Sequence, residues 1–564
     1  MAEALTDKPT RNKKYKPILP GTADWPVVRL SKNRKQFIEY VAQTTIERII
    51  AANKGKEELR EELESTLYLE KLRIKQNPWK VDPPDESKFW SGVKNDLVDL
   101  VGGQNTVEKE RKILGRIVHR YANEIAGNFK QSHYKMAREM VKFGFARLLN
   151  ATRVKRFGAF FRNEYTLRDK IQIIGKTKQL RKLAKIGTVV MVPTHFSNLD
   201  SILIGWIIHS LGLPAFIYGA GLNLFNIKIF AYFMNSLGAY KVDRRKKNPI
   251  YLETLKTYSM LAIQEGAHSL FFPGGTRSRS GKIETHLKLG LLGTAMEAQR
   301  GLYMENTAGS PRKIFIVPVT LNYNFVLEAP SLIKQYLAMK GQERFYIETD
   351  EFSTSYKMTK FLFKFFAKGS DISVSIGPGL DLMGNYVDNK GRSIDRQGRF
   401  IDTRDYFLTD GKITANQQRE AEYTRQLAEV IVKEYHRINR VFASHLVAFT
   451  AFTIWRKRYN KLDLYDFLRI PEEELFITYK EFRDEFDHMR KEVLKLKKQG
   501  KLNIAPHMRG DLDEVIKFGI ENVGMYHAKR PLIFNKQGDI ITSDLTTLYY
   551  YHNRMDGYDL ESKV

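Results

Sequence analysis

Residues 188–192 form a short valine-rich apolar run, and Pro193, Thr194, His195, Phe196, Ser197, Asn198, Leu199 and Asp200 follow it. A histidine at the end of a buried strand, five residues before an aspartate that opens a helix, is a usable acid–base pair. The imidazole can deprotonate an alcohol. The carboxylate can hold the other ring N–H, fixing the tautomer and stabilising the imidazolium as it forms. The chain has no G-x-S-x-G elbow and no cysteine, so the alcohol itself is the expected attacking group. Taken alone, His-x4-Asp is a weak signal, because Asp200 also reads as a helix N-cap.

Three further segments bear on this reading. Residues 238–245 begin at Gly238 and end in two cations, Arg244 and Arg245. Residues 271–282 follow a strand-like run and hold Gly274, Gly275, Thr276, Arg277, Ser278, Arg279 and Lys282. Such glycines expose backbone N–H groups, the hydroxyls add donors and the cations add charge, which together make a phosphate cradle by composition. The competing reading is a flexible basic loop. Residues 316–321 are an apolar strand interrupted by Pro318, which by itself means only structure.

These segments need a frame. Strand-like runs at 188–192, 269–272, 314–321 and 371–376 alternate with helix-like runs at about 199–212, 250–265 and 286–300. Such alternation predicts an α/β layer structure. Residues 201–227 carry no formal charge but are broken by Gly205, His209, Gly212, Pro214, Gly219 and Asn223. A spanning helix needs about 20 continuous apolar residues. Two shorter helices joined at Leu213 and Pro214 are therefore expected, as buried core or as a shallow dip into one leaflet.

The chain divides into four parts. Residues 1–165 read as helical and polar, with a charged helical run over 33–76, breaks at Pro78, Pro83 and Pro84, and a second run over about 107–161. Residues 136–161 form a basic amphipathic segment that suits either an anionic membrane surface or packing on the next domain. Residues 166–384 hold the four segments above. Residues 385–411 contain a near-repeat from Asp388 to Asp395 and from Asp395 to Asp402, with Gly391 and Gly398 suited to tight turns; this reads as a surface ribbon or flap. Residues 412–564 read as mainly helical, including a charged helix over about 479–499 ending at Gly500.

Composition bounds the partners. Lys and Arg number 92 against 64 Asp and Glu, a formal charge of +28 in 564 residues. That excess attracts polyanions: nucleic acid, anionic lipid or phosphorylated substrates. No RNP1-like, KH, zinc-finger or basic-zipper pattern accompanies it, so no nucleic-acid partner is expected. Without cysteine there is no disulfide and no thiolate metal site, and no metal is expected. The first twenty residues include Lys8, Arg11, Lys13, Lys14 and Lys16 with no apolar stretch after them, unlike a signal peptide.

Together the four segments resemble, in order and spacing, the four blocks of the glycerol-phosphate acyltransferase superfamily. His195 and Asp200 match its His-x4-Asp block. Gly238 and Arg244 match the second block, and Gly275, Thr276, Arg277 and Ser278 match the third, usually written F-P-E-G-T-R-S. Pro318 matches the proline of the fourth, and Lys288 a lysine that commonly follows the third. One departure stands out: the glutamate of F-P-E-G falls on Gly274, so its carboxylate is absent or is supplied by another residue.

The resemblance implies a central mixed sheet flanked by helices. It also implies transfer of a fatty acyl group from acyl-CoA or acyl-carrier protein to a glycerol hydroxyl, with no cofactor. His195 and Asp200 would be catalytic. Arg244, Gly275, Thr276, Arg277, Ser278, Arg279, Lys288 and Pro318 would bind substrate, and the helices expected within 201–237 would wall the acyl chain. Similarity to the larger glycerol-3-phosphate and dihydroxyacetone-phosphate enzymes extends over about 138–554, through 443–449, 479–500 and 548–554. Phe196 stands where those enzymes favour arginine after the histidine, and Asp243-Arg244, where they often carry Arg-Arg, resembles the monoacyl branch instead. Glycerol-3-phosphate is the favoured acceptor and 1-acylglycerol-3-phosphate the alternative; a non-catalytic lipid-binding relative is the more distant one. The expected location is peripheral or monotopic, on the cytoplasmic face of an anionic membrane.

Overall fold

The computed structural model describes residues 15–53, 56–79, 81–100, 106–136, 171–222, 238–305, 309, 311–340 and 372–563. Its centre is a seven-stranded sheet: β1 (Ile171–Gly175), β2 (Thr188–Pro193), β3 (Ile217–Gly221), β4 (Ala239–Val242), β5 (Ser269–Leu270), β6 (Ile314–Tyr323) and β7 (Ile372–Ile376). Their spatial order is β1-β7-β6-β2-β5-β3-β4. Only the β6–β7 pair is antiparallel; the other neighbours are parallel, so the sheet is mixed.

β2 lies inside the sheet, and all six of its residues are buried. Val189 and Met191 join the apolar cluster on one face, while Val190 and Val192 join the cluster on the other. A strand covered on both faces can be apolar throughout, which is why 188–193 reads as a run and not as an alternation. The parallel strands β2 and β5 end at the same edge, where α/β sheets open a crevice for ligands.

Helices cover both faces. α1 (Arg34–Ala52), α2 (Lys56–Gln76), α3 (Glu86–Val98) and α4 (Thr106–Ile125) form the N-terminal bundle, and α1 and α4 pack on the later helix Pro249–Gln264. α5 (Thr177–Ile186) precedes β2, and α6 (Asp200–Ser210) follows it. α7 (Pro249–Gln264) starts at a proline, and the Asn248 side chain caps it by accepting the Tyr251 N–H at 2.8 Å. The same Asn248 donates to Glu70 and Tyr121 of the N-terminal bundle, so the cap also joins the two regions. α8 (Leu289–Glu305) and α9 (Ala329–Lys340) complete the central layer.

The C-terminal region follows the predicted helical pattern. α10 (Gln417–Ile438) sends the Tyr435 hydroxyl to the Val192 carbonyl at 2.8 Å, within the central sheet. α11 (Ala443–Arg458) is buried continuously from Ala443 to Trp455, as befits a helix without a polar face over that stretch. α12 (Tyr479–Lys498), α13 (Leu512–Asn522) and α14 (Leu545–His552) pack around it. The near-repeat forms a three-stranded antiparallel ribbon of two-residue strands. Asp388 and Asp395 each accept backbone N–H groups of their own turn and pair with Arg392 and Arg399.

Two expectations change. The chain after Pro214 enters strand β3, not a second helix; residues 223–237 lie outside the described residues, so the helical wall expected there is described only as α6. Strands β1, β3 and β4 were not among the predicted runs. The amphipathic segment 136–161 also lies outside the described residues, save Met136. Among the described residues, no helix is long and apolar enough to cross a membrane.

Candidate active site

Beyond β2 the chain is pinned before it turns. The Thr194 N–H bonds to the Val319 carbonyl at 3.0 Å, and its hydroxyl accepts the Leu321 N–H at 3.1 Å. The loop then wraps the carboxylate of Asp200, the first residue of α6. Asp200 Oδ2 accepts the backbone N–H groups of Phe196 at 2.6 Å and Ser197 at 2.9 Å, and lies 2.8 Å from His195 Nδ1. Oδ1 accepts the hydroxyl of Tyr323 from β6. Asp200 is therefore not an N-cap of its own helix but the hub of the preceding loop.

An ionised carboxylate only accepts, so the Nδ1 of His195 carries the proton and Nε2 is left as the basic nitrogen. The His195 side chain is 15% exposed and that of Asp200 is 0%, so a substrate reaches the histidine alone. Phe272 stacks on the imidazole with centroids 4.1 Å apart. The His195 backbone N–H donates to Glu284 Oε1 at 2.7 Å. Burial, reinforced by nearby Asp200, pushes the Glu284 carboxyl up to about 7 against the pull of that N–H and of Arg554.

The glycine-rich loop after β5 is tied to the same backbone. Gly275 turns at a φ of +77°, its N–H returning to the Phe272 carbonyl, and the Ser278 N–H donates to the His195 carbonyl at 2.8 Å. That bond brings Arg277 alongside the histidine loop. Arg277 Nη1 lies 3.3 Å from Glu328 Oε1, and Glu328 also accepts the Asn198 N–H at 2.8 Å and the Ser197 hydroxyl at 3.1 Å. Lys288 joins the loop through its N–H to the Pro273 carbonyl, and its aliphatic stem runs against Gly275, where an added Cβ would meet Lys288 Cε at 2.7 Å.

The structure thus brings His195, Asp200, Gly275, Thr276, Arg277, Ser278 and Lys288 to one edge of the sheet. Arg279 lies further out, its Nη1 3.4 Å from the Met339 sulfur. Arg244 is exposed just after β4, the far edge strand. Its neighbour Arg245 is committed elsewhere, to Asp243, to Asp82 and over the Trp79 ring at 4.0 Å. Pro318 is buried in β6, in register with Val192, and supports the sheet beneath the site.

Several contributors escaped sequence reasoning: Tyr323, Glu284, Glu328, Phe272 and Arg554. Arg554 is buried with its guanidinium 3.9 Å from the Phe196 ring centre, hydrogen-bonded to Asn322 and Asn439. Its neighbour Asn553 donates to the Ser280 carbonyl at 2.8 Å, and Asp556 pairs with Lys282 at 2.8 Å. The C-terminal segment therefore backs both catalytic loops. A buried Tyr or Glu outside a motif has no distinguishing mark in one sequence.

Residues 174–322 match the family model described as Acyltransferase. The chain carries an acyltransferase domain. Outside and within this acyltransferase domain the chain is similar to proteins named glycerol-3-phosphate acyltransferase. That of Glaesserella parasuis is 24% identical over 332 residues, 58% of this chain and 37% of the relative. That of Actinobacillus succinogenes is 28% identical over 242 residues, covering 42% and 26%. That of Aeromonas hydrophila is 32% identical over 158 residues, covering 28% and 18%. The matched stretch spans at most 37% of the length of these three relatives.

Proposed function

We propose that the chain is a glycerol-3-phosphate O-acyltransferase drawing on acyl-CoA or acyl-carrier protein, with 1-acylglycerol-3-phosphate as the alternative acceptor and no cofactor. The observation that carries this reading is the bond from the Ser278 N–H to the His195 carbonyl, which sets a cationic, glycine-rich loop beside a histidine whose Nδ1 is held by Asp200. On this reading Arg277 and Lys288 hold the acceptor phosphate and turn its hydroxyl toward Nε2.

His195 Nε2 takes the hydroxyl proton as the oxygen attacks the thioester carbonyl. The C–O bond forms, and Asp200 stabilises the imidazolium. Collapse of the tetrahedral intermediate breaks the C–S bond, and the leaving thiolate takes the proton back from Nε2. Backbone N–H groups at the loop would stabilise the oxyanion. Arg244 at the second block and Arg279 at the rim extend the positive field toward the acceptor. A net charge of +28 supports peripheral attachment to the anionic cytoplasmic face of a membrane.

The test is direct: purified protein with labelled long-chain acyl-CoA and, separately, glycerol-3-phosphate, its 1-acyl form and dihydroxyacetone phosphate. Fastest labelling of glycerol-3-phosphate, lost in His195→Ala by about 10²–10⁴-fold, is the expected result. Preference for the 1-acyl form selects the alternative. No transfer to any acceptor from acyl-CoA or acyl-carrier protein, or full turnover by His195→Ala, overturns the reading.

A further inference from the structure

We infer that Glu284 is a positioning residue for His195 and fills the place that a side chain at Gly274 would otherwise take. Three observations meet at this point. A Cβ built on Gly274 would lie 2.9 Å from Glu284 Cγ and 3.2 Å from Oε1. Real Cβ atoms are not found that close to a carbon, so Glu284 occupies the space into which residue 274 would project. The same Oε1 accepts the His195 backbone N–H at 2.7 Å. The other oxygen, Oε2, is buried and accepts no hydrogen bond from another residue among those described.

The route by which Glu284 arrives is built into the loop. Gly281 turns the chain at a φ of +83°, tight against the Tyr550 carbonyl, where a Cβ would lie 2.1 Å from that oxygen. Past this turn Ile283 is buried, and Glu284 is directed back beneath the histidine. His195 is thus held on both sides of its Cα, its N–H by Glu284 and its carbonyl by the Ser278 N–H. Phe272 and Asp200 hold the ring. The carboxylate absent at position 274 is thus supplied from ten positions along the chain, beside the space that a side chain at 274 would enter. Loss of one of these four restraints tilts Nε2 relative to the acceptor, and small misplacements of reacting groups cost rate steeply.

This inference rests on the proposed transfer chemistry for its rate effects but not for its packing effects, so the two are measured separately. The variants are Glu284→Ala, Glu284→Gln, Gly274→Glu and the double variant Gly274→Glu/Glu284→Ala. Thermal melts, which need no substrate, are expected to show Gly274→Glu lowering Tm in the wild-type background and leaving or raising it in the Glu284→Ala background. With glycerol-3-phosphate and a long-chain acyl-CoA, Glu284→Ala is expected to lose kcat about tenfold or more with both KM values unchanged. Glu284→Gln, whose amide oxygen can still accept the His195 N–H, should retain most of kcat, and the double variant should recover above Glu284→Ala. Additive Tm changes across the four proteins would place Glu284 elsewhere than the space of residue 274. Full kcat in Glu284→Ala, or a loss confined to KM, would remove its positioning role. If wild type transfers no acyl group, the proposed function fails while the Tm cycle still decides the packing.

Discussion

The Tyr323 hydroxyl donates to Asp200 on the carboxylate oxygen opposite the one that faces His195. The phenol is buried, and burial beside Asp200 raises it well above the ordinary tyrosine range, which keeps it a donor. Hydrogen bonds to charged groups contribute about 1.5–3 kcal/mol. Tyr323→Phe should therefore lower kcat about tenfold or more and leave both KM values where they were. Steady-state kinetics with saturating donor tests this, and an unchanged kcat would reduce Tyr323 to packing.

Arg277 is oriented by Glu328, which also ties down Ser197 and Asn198. A guanidinium can grip Glu328 and a phosphate through different nitrogens, whereas lysine offers a single charged point. Arg277→Lys should raise the acceptor KM about tenfold or more and spare the donor KM. A selective rise in the donor KM would reassign the loop to the phosphates of the donor. Glu328→Gln should show the same acceptor defect together with a lower Tm, because it weakens the histidine loop as well.

Acid should destabilise the C-terminal region. His445 Nε2 meets the Tyr323 carbonyl at 3.0 Å, and Nδ1 accepts the Phe442 N–H at 3.3 Å, so the neutral ring uses both nitrogens. A second ring proton would face another N–H. Burial, with the positive charge of Arg554 and neighbouring His507, pushes His445 down to about 3. The unfolded histidine titrates near 6.5, so the stabilisation is complete above that pH and is lost as pH falls toward 3. Urea midpoints at pH 7.5 and 5 should drop more in wild type than in His445→Gln. Equal drops would exclude this histidine as the source.

Liposomes rich in anionic lipid should bind the protein at low ionic strength and release it in high salt, since a net charge of +28 acts over about a Debye length of 10 Å at 0.1 M. Co-sedimentation measures this directly. Absence of binding at low salt would remove the membrane from the proposal, and binding resistant to salt would point to apolar insertion.

The parts of the site that could be read in advance were those in which adjacent residues cooperate. His195 and Asp200 share one loop, and Gly275 to Ser278 share one turn, so their spacing carries the geometry. Tyr323, Glu328 and Arg554 reach the site from the sheet, the turn before α9 and the C-terminal segment, and no local pattern distinguishes them from core residues. The same limit applied to the fold. β2 and β6 were legible as valine- and isoleucine-rich runs, whereas β3 is only Ile217–Gly221 with two glycines and follows a long apolar stretch, where strand and helix have no distinct period. Whether another residue supplies the carboxylate missing at 274 was open in the sequence, and the proposal that Glu284 does so rests on the crowding at Gly274.

Asn553 and Ser280, which touch, are 273 positions apart in the chain. At ribosomal speeds of about 5–20 residues per second, the glycine-rich loop precedes its backing by a time on the order of tens of seconds. From the point at which residue 321 has been made, a nascent chain holds all four segments while the loops of the candidate site lack the residues that back them. A message interrupted between 340 and 545 would encode all four motifs and still yield no finished site. The candidate site is therefore a long-range closure of the polypeptide, backed only once the segment around Asn553 has been made.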